Sequence, residues 1–189
     1  DNKNTEPEAV IKSRKSTPMG FALLFQEMCS QADIRCLTVE GYYKFNTENL
    51  NEKPDAVNYT WNVIQLGTSP NEWFYVDACK ASGFLDKKQL QFTRKFSSIY
   101  FFANKSVFNL DHFPDNQAWL LGDGTRSIKD FYSLPLVHDG AYKFAIKKPN
   151  PTNAFIKTKI DVFNTFSFIT NDVQNISNIS VVIGEGAKQ

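Results

Sequence analysis

The first apolar rhythm along the chain is helical. Thr5, Pro7 and Glu8 carry the signature of a capped start and predict a helix running to about Arg14. A second start follows at once. Ser16 or Thr17 can cap, Pro18 suits a first helical position, and Phe21, Leu24, Phe25 and Met28 recur at helical spacing to about Gln31. The period then changes to two. Ile34 to Tyr43 reads as a strand, followed by a polar loop from Lys44 to Ala56. From Val57 to Leu66 the alternation is clean, with Val57, Tyr59, Trp61 and Val63 on one face and Asn58, Thr60 and Asn62 on the other. A turn over Gly67 to Asn71 and a strand over Trp73 to Ala78 complete an antiparallel hairpin. Ser98 to Ala103 predicts another strand, Lys105 to Leu110 a short helix, and Ser127 caps one more. Beyond Pro135 the texture changes. Tyr142 to Lys147, Phe155 to Phe163 and Ile179 to Ile183 read as strands between Pro, Asn and Gly clusters. The expected class is α+β, divided into residues 1–135 and a β-rich segment over 136–189.

Composition narrows the partners. Hydrophobic residues make up 42% and charged residues 22%, which are globular values, and 17 phenylalanines suit a core rich in β-structure. The 21 basic and 20 acidic side chains leave a formal charge of +1, so nucleic acid is not an expected partner. No apolar run approaches the roughly 18 residues of a membrane span. The polar start, from Asp1 to Val10, lacks the layout of a secretory signal: none existed, or it was removed. Cys29, Cys36 and Cys79 cannot all pair within one chain and are expected to be free, small core residues. Four N-x-S/T sequons, at Asn58, Asn104, Asn175 and Asn178, keep a secreted compartment open.

Several short motifs then line up in order. Residues Arg14 to Ala22 read Arg-Lys-Ser-Thr-Pro-Met-Gly-Phe-Ala and resemble the pattern Arg-Lys-Gly-Val-Cys-x-Gly-Tyr-Ala. Asn58-Tyr-Thr-Trp-Asn62 resembles Asn-His-Ala-Trp-Asn, and Tyr75-Val-Asp-Ala78 resembles the strand that follows it. Together they resemble the active-site segments of the transglutaminase-like cysteine enzymes. In that family a helix N-terminus favours a cysteine thiolate, a strand histidine is its base, and an aspartate on the neighbouring strand orients the histidine. Gly83-Phe-Leu-Asp86, Tyr100-Phe-Phe102, Asp111-His-Phe-Pro114, Trp119-Leu-Leu121 and Asp130 to Pro135 are similar to the kyphoscoliosis peptidase and hillarin branch. The resemblance covers about residues 8 to 145.

It implies a transglutaminase-like, papain-like core: an antiparallel sheet packed on the helix that begins at Pro18. It also implies a missing chemistry. Pro18 stands at the cysteine position and has no nucleophilic atom, and Tyr59 stands at the histidine position with a phenol too weakly acidic to act as base. Only Asp77 matches, so the expectation is a degenerate triad and a pseudoenzyme that binds protein as a scaffold or adaptor. The resemblance points to a cytoplasmic, cytoskeletal partner. The relatives' upstream helices are expected to be absent from this chain.

A rival reading relocates the nucleophile to Cys79, which in a strand would share the face of Asp77; a secreted, glycosylated interaction protein is the other. His112 is expected to hydrogen-bond structurally, and His138 to be solvated. No metal-ligand spacing or cofactor motif is present, and Gly122-Asp-Gly124 signals a turn rather than a phosphate loop. Trp61, Trp73 and Trp119 are candidates for core or groove. Tyr59 and Asp77 are expected on adjacent antiparallel strands, one face, with the Pro18 helix turned to them. The tyrosine ring should fill the cleft, its hydroxyl overshooting an Asp77 satisfied by other donors.

Overall fold

A computed structural model describes residues 5–45, 50, 53–67, 72–86, 91–159 and 161–170. Helix α1 spans Pro7–Ser13 and α2 spans Pro18–Gln31, where the Thr17 side chain accepts from the Gly20 amide and Pro18 sits at the first position. The cap of α1 is Glu6, not Thr5, and it lacks a side-chain bond. Strands β1 (Arg35–Tyr43), β2 (Tyr59–Gln65) and β3 (Trp73–Val76) follow, with β2 antiparallel to both. Their register pairs Gly41 with Tyr59 and Asn62 with Val76. After β3 come α3 (Ala78–Ser82) and the hairpin β4 (Gly83–Asp86) and β5 (Gln91–Arg94). Helix α4 (Lys105–Asp111) leads into β6 (His112–Pro114), and α5 (Ile128–Ser133) is capped by the Ser127 hydroxyl as its sequence predicts. Last come α6 (Asp139–Lys143), β7 (Lys147–Asn150) and β8 (Ser167–Ile169).

The fold is therefore a mixture of helices with an antiparallel sheet. Four strands run in the order β3-β2-β1-β6, and α2 packs on β1, β2 and α3. One anchor of that packing is polar: Asn62 Nδ2 donates to the Ala22 carbonyl, 3.1 Å away. Every residue of β2 from Tyr59 to Ile64 is buried, because helix α2 covers one face and the main core the other. That core gathers Val39, Trp61, Val63, Tyr75, Val107 and Phe108. Gly41 is a point of close approach in the sheet. A Cβ there would lie 2.3 Å from the Phe113 carbonyl oxygen and 2.6 Å from the Trp61 ring, so only glycine lets β1 approach β6.

Four expectations need correction. The strand predicted over Trp73 to Ala78 stops at Val76, because Asp77 turns to cap α3 with its carboxylate on the Lys80 amide at 2.8 Å. Ser98 to Ala103 is not a strand: Ser98–Tyr100 forms a 3-10 turn that buries Tyr100, and Phe101 makes a single bridge to Val76. Tyr142 to Lys147 is not a strand either, since Tyr142 lies in α6 and is buried in the main core. Its alternating apolar residues fit one turn of helix as well as a strand. No strand forms at 155–159 or 161–163, where Phe155 and Phe163 find no core and stay exposed. The strand expected at Ile179 to Ile183 and the sequons at Asn175 and Asn178 lie outside the described residues.

Lysine 44 ties this fold together from inside. It is fully buried, its ammonium donating to the carbonyls of Phe131, Leu134 and Pro135 at 3.2 to 3.3 Å and lying over the Phe131 ring. Burial pulls its pKa down to about 8, with Asp111 opposing.

Candidate functional site

Asp77 is the hub of a buried polar cluster. Continuing the β2–β3 register by one residue sets it opposite Trp61 and diagonal to Tyr59, on the same face. The Tyr59 hydroxyl donates to Asp77 Oδ1 at 3.4 Å, so it reaches the carboxylate rather than overshooting it. The other oxygen, Oδ2, lies 3.2 Å from His112 Nε2. His112 Nδ1 in turn meets Asp111 Oδ1 at 2.6 Å, and the Tyr142 hydroxyl donates to that same oxygen at 2.5 Å. All five side chains are buried. The ring of His112 stacks on Phe108 at 3.7 Å and is edged by Tyr43, Tyr59 and Trp61.

The sequence places His112 far from the hairpin; the sheet brings it in. Strand β6 pairs with β1, setting His112 opposite Tyr43, and β1 carries that end of the sheet to Tyr59. The signal in the sequence was the adjacent Asp111 within Asp-His-Phe-Pro, which fits the structural hydrogen bonding expected of this histidine. His138, by contrast, is exposed.

Cys79 requires a second correction. It lies half-buried in α3, not in a strand, close enough to Tyr59 and Asp77 for each to perturb its pKa. Burial, with Asp77 adding to it, pushes the thiol up to about 12, against weaker lowering by Tyr59 and Lys80. At neutral pH it is a thiol, not a thiolate. The Tyr59 phenol is raised well above its ordinary range by burial and by Asp77. Burial alone would lower His112, but Asp111 and Asp77 outweigh it and raise the imidazole above 6.5. Both of its ring nitrogens are engaged, so it has no free lone pair to offer a substrate.

The remaining candidates take no part in this hydrogen-bonded cluster. Pro18 is half-buried at the start of α2, the helix that packs on β2 and α3. Cys29 and Cys36 are buried and free, sharing one apolar cluster with Ile64 and Val76 between α2 and the sheet. Trp61 is core, while Trp73 and Trp119 meet edge to face at 5.2 Å, half-buried against that core. At the Asn58 sequon the side-chain amide spans the Tyr43 backbone, accepting at 2.8 Å and donating at 3.1 Å; at Asn104 the side chain caps α4. Among the described residues no three His, Cys, Asp or Glu side chains gather as metal ligands, and no helix is long and apolar enough to cross a membrane.

No family model matches the chain. It is 28% identical over 159 residues, 84% of its length, to kyphoscoliosis peptidase of Mus musculus. It is 22% identical over 94% of its length to Lim and transglutaminase domain protein ltd-1 of Caenorhabditis elegans, and 18% over 77% to hillarin of Drosophila melanogaster. The alignments cover 24%, 24% and 19% of those proteins, so the chain spans about a quarter of the length of the curated relatives it matches.

Proposed function

We propose that this relative of the kyphoscoliosis peptidase and hillarin branch keeps a transglutaminase-like, papain-like core without its catalysis and serves as a protein-binding scaffold. The observation that carries the reading is the state of the groups around Asp77. The position matching the nucleophile is Pro18, the position matching the base is Tyr59, and the nearby thiol, Cys79, has its pKa pushed up to about 12. A half-buried, protonated thiol beside a carboxylate does not attack a carboxamide. Asp77, which an active enzyme would use to orient a base, here caps α3 and holds His112. The same reading takes residues 1–135 as a transglutaminase-like domain and 136–189 as a further segment that packs onto it through Tyr142, and expects a cytoplasmic, cytoskeletal partner.

The test is turnover. Incubated with casein and with a glutamine peptide plus a fluorescent amine, the chain is expected to release no fragments and to form no crosslinks above a heat-denatured control. Activity lost on Cys79→Ala would refute the reading and restore the relocated nucleophile.

A further inference from the structure

A groove of about 740 Å³ lies between α1, α2, α3 and β5 and is mostly apolar. Its walls include Ile11, Phe21, Phe92 and Phe96, and three of these, Ile11, Phe92 and Phe96, are half or more exposed. Two exposed guanidiniums, Arg14 and Arg94, line it as well, and among the described residues neither has a carboxylate within ion-pair distance. On the other side of β5, where alternation sends Lys95, a cleft of about 330 Å³ is lined by Lys80, Lys95 and Lys143. The one described carboxylate in either lining is Asp139, and it already accepts from the Tyr100 hydroxyl at 2.5 Å. A chain of net charge +1 has thus gathered five basic groups around exposed aromatic side chains.

Resting on the scaffold reading above, we infer that this face docks an acidic segment of a partner protein: apolar anchors in the groove, carboxylates on Arg14 and Arg94. Charge decides between occupants. An isologous second copy would set five cations against five. A fatty acid brings one carboxylate, too few for cations spread over two clefts. A peptide carrying both acidic and apolar residues answers both features: its apolar side chains enter the groove, its nearer carboxylates meet Arg14 and Arg94, and the lysines beyond β5 add to the positive field that draws it in.

The test uses the 189-residue chain and fluorescence anisotropy of a labelled peptide that alternates glutamate with leucine and phenylalanine. Saturable binding is expected. It should weaken about tenfold or more when the peptide carries glutamine for glutamate, and likewise in Arg94→Glu and Phe92→Ser, both exposed positions whose replacement leaves the core intact. Equal affinity for the two peptides, indifference to Arg94→Glu, displacement by oleate, or a concentration-dependent mass abolished by Phe92→Ser would each overturn the proposal. A cytoskeletal protein retained on both variants would refute this face while leaving the scaffold reading standing.

Discussion

Replacing His112 by Phe tests what the cluster around Asp77 does. The ring would keep its stack on Phe108, 3.7 Å away, so packing changes little. What is lost is the imidazole that joins Asp77 to Asp111 at 3.2 and 2.6 Å. Removing one partner of a buried ion pair costs about 3–5 kcal/mol, chiefly because the other charge is left behind. Here two carboxylates are left, but each keeps some support: Asp77 the Lys80 amide and the Tyr59 hydroxyl, Asp111 the Tyr142 hydroxyl. The lower end, about 3 kcal/mol, is therefore expected. With a urea slope of about 2 kcal/mol per molar, the midpoint should fall by about 1.5 M.

The pH dependence separates this from a packing defect. His112 is raised above 6.5 in the folded chain, so it binds its proton more tightly there than when unfolded. Its stabilisation is complete below pH 6.5 and is lost as pH rises through the folded value. The native chain should lose stability above pH 6.5, by at most about 1.4 kcal/mol per pH unit from this one proton. In His112→Phe that slope should vanish. Urea unfolding at a series of pH values, followed by tryptophan fluorescence, reads both quantities. A loss under about 1 kcal/mol, or an unchanged slope, would refute the argument that a charged imidazole bridges the two carboxylates.

Three further outcomes follow from the same geometry. Lys44→Met should cost about 1–3 kcal/mol at pH 7 by leaving three carbonyls, that of Phe131 buried and those of Leu134 and Pro135 part-buried, short of a donor. Because burial lowers Lys44 to about 8 from 10.5, the native chain gains stability from this group as pH rises between those values, and the variant should lose that gain in alkaline urea titrations. Gly41→Ala should destabilise by about 1–3 kcal/mol, read as a lower thermal midpoint, because its Cβ meets the Phe113 carbonyl and the Trp61 ring with no room to yield. Pro18→Cys with Tyr59→His should restore no turnover, since an imidazole at position 59 would meet an Asp77 already held by His112. Rapid alkylation of the new thiol together with substrate cleavage would contradict this.

The parts of this fold legible in the sequence are those set by neighbours along the chain. The start of α2 was readable because Thr17 and Pro18 satisfy and shape the first turn locally. The faces of β2 were readable because period two leaves Tyr59, Trp61 and Val63 on one side. Period does not say where a strand ends, and at Asp77 a residue that suits a helix cap also continued the alternating pattern. Capping won because it satisfies a backbone amide that an extra strand residue would leave without a partner, the bridge at Val76 being the last.

The site divides along the same line. Tyr59 and Asp77 meet across a hairpin, so eighteen residues of chain carry enough information to place them on one face. His112 reaches Asp77 only because β6 joins the far side of β1, a pairing of Tyr43 with a residue well over fifty positions later. No spacing rule encodes that, yet the chemistry leaves a trace. A carboxylate buried beside a strand must be satisfied, and the hairpin and the helix after it offer Asp77 one phenol and one amide among the described residues. The unmet demand called for a donor from elsewhere in the chain. Both histidines stand beside an aspartate in the sequence, Asp111 and Asp139, so the neighbour does not choose between them; the pairing of β6 with β1 does, setting His112 between Asp111 and Asp77.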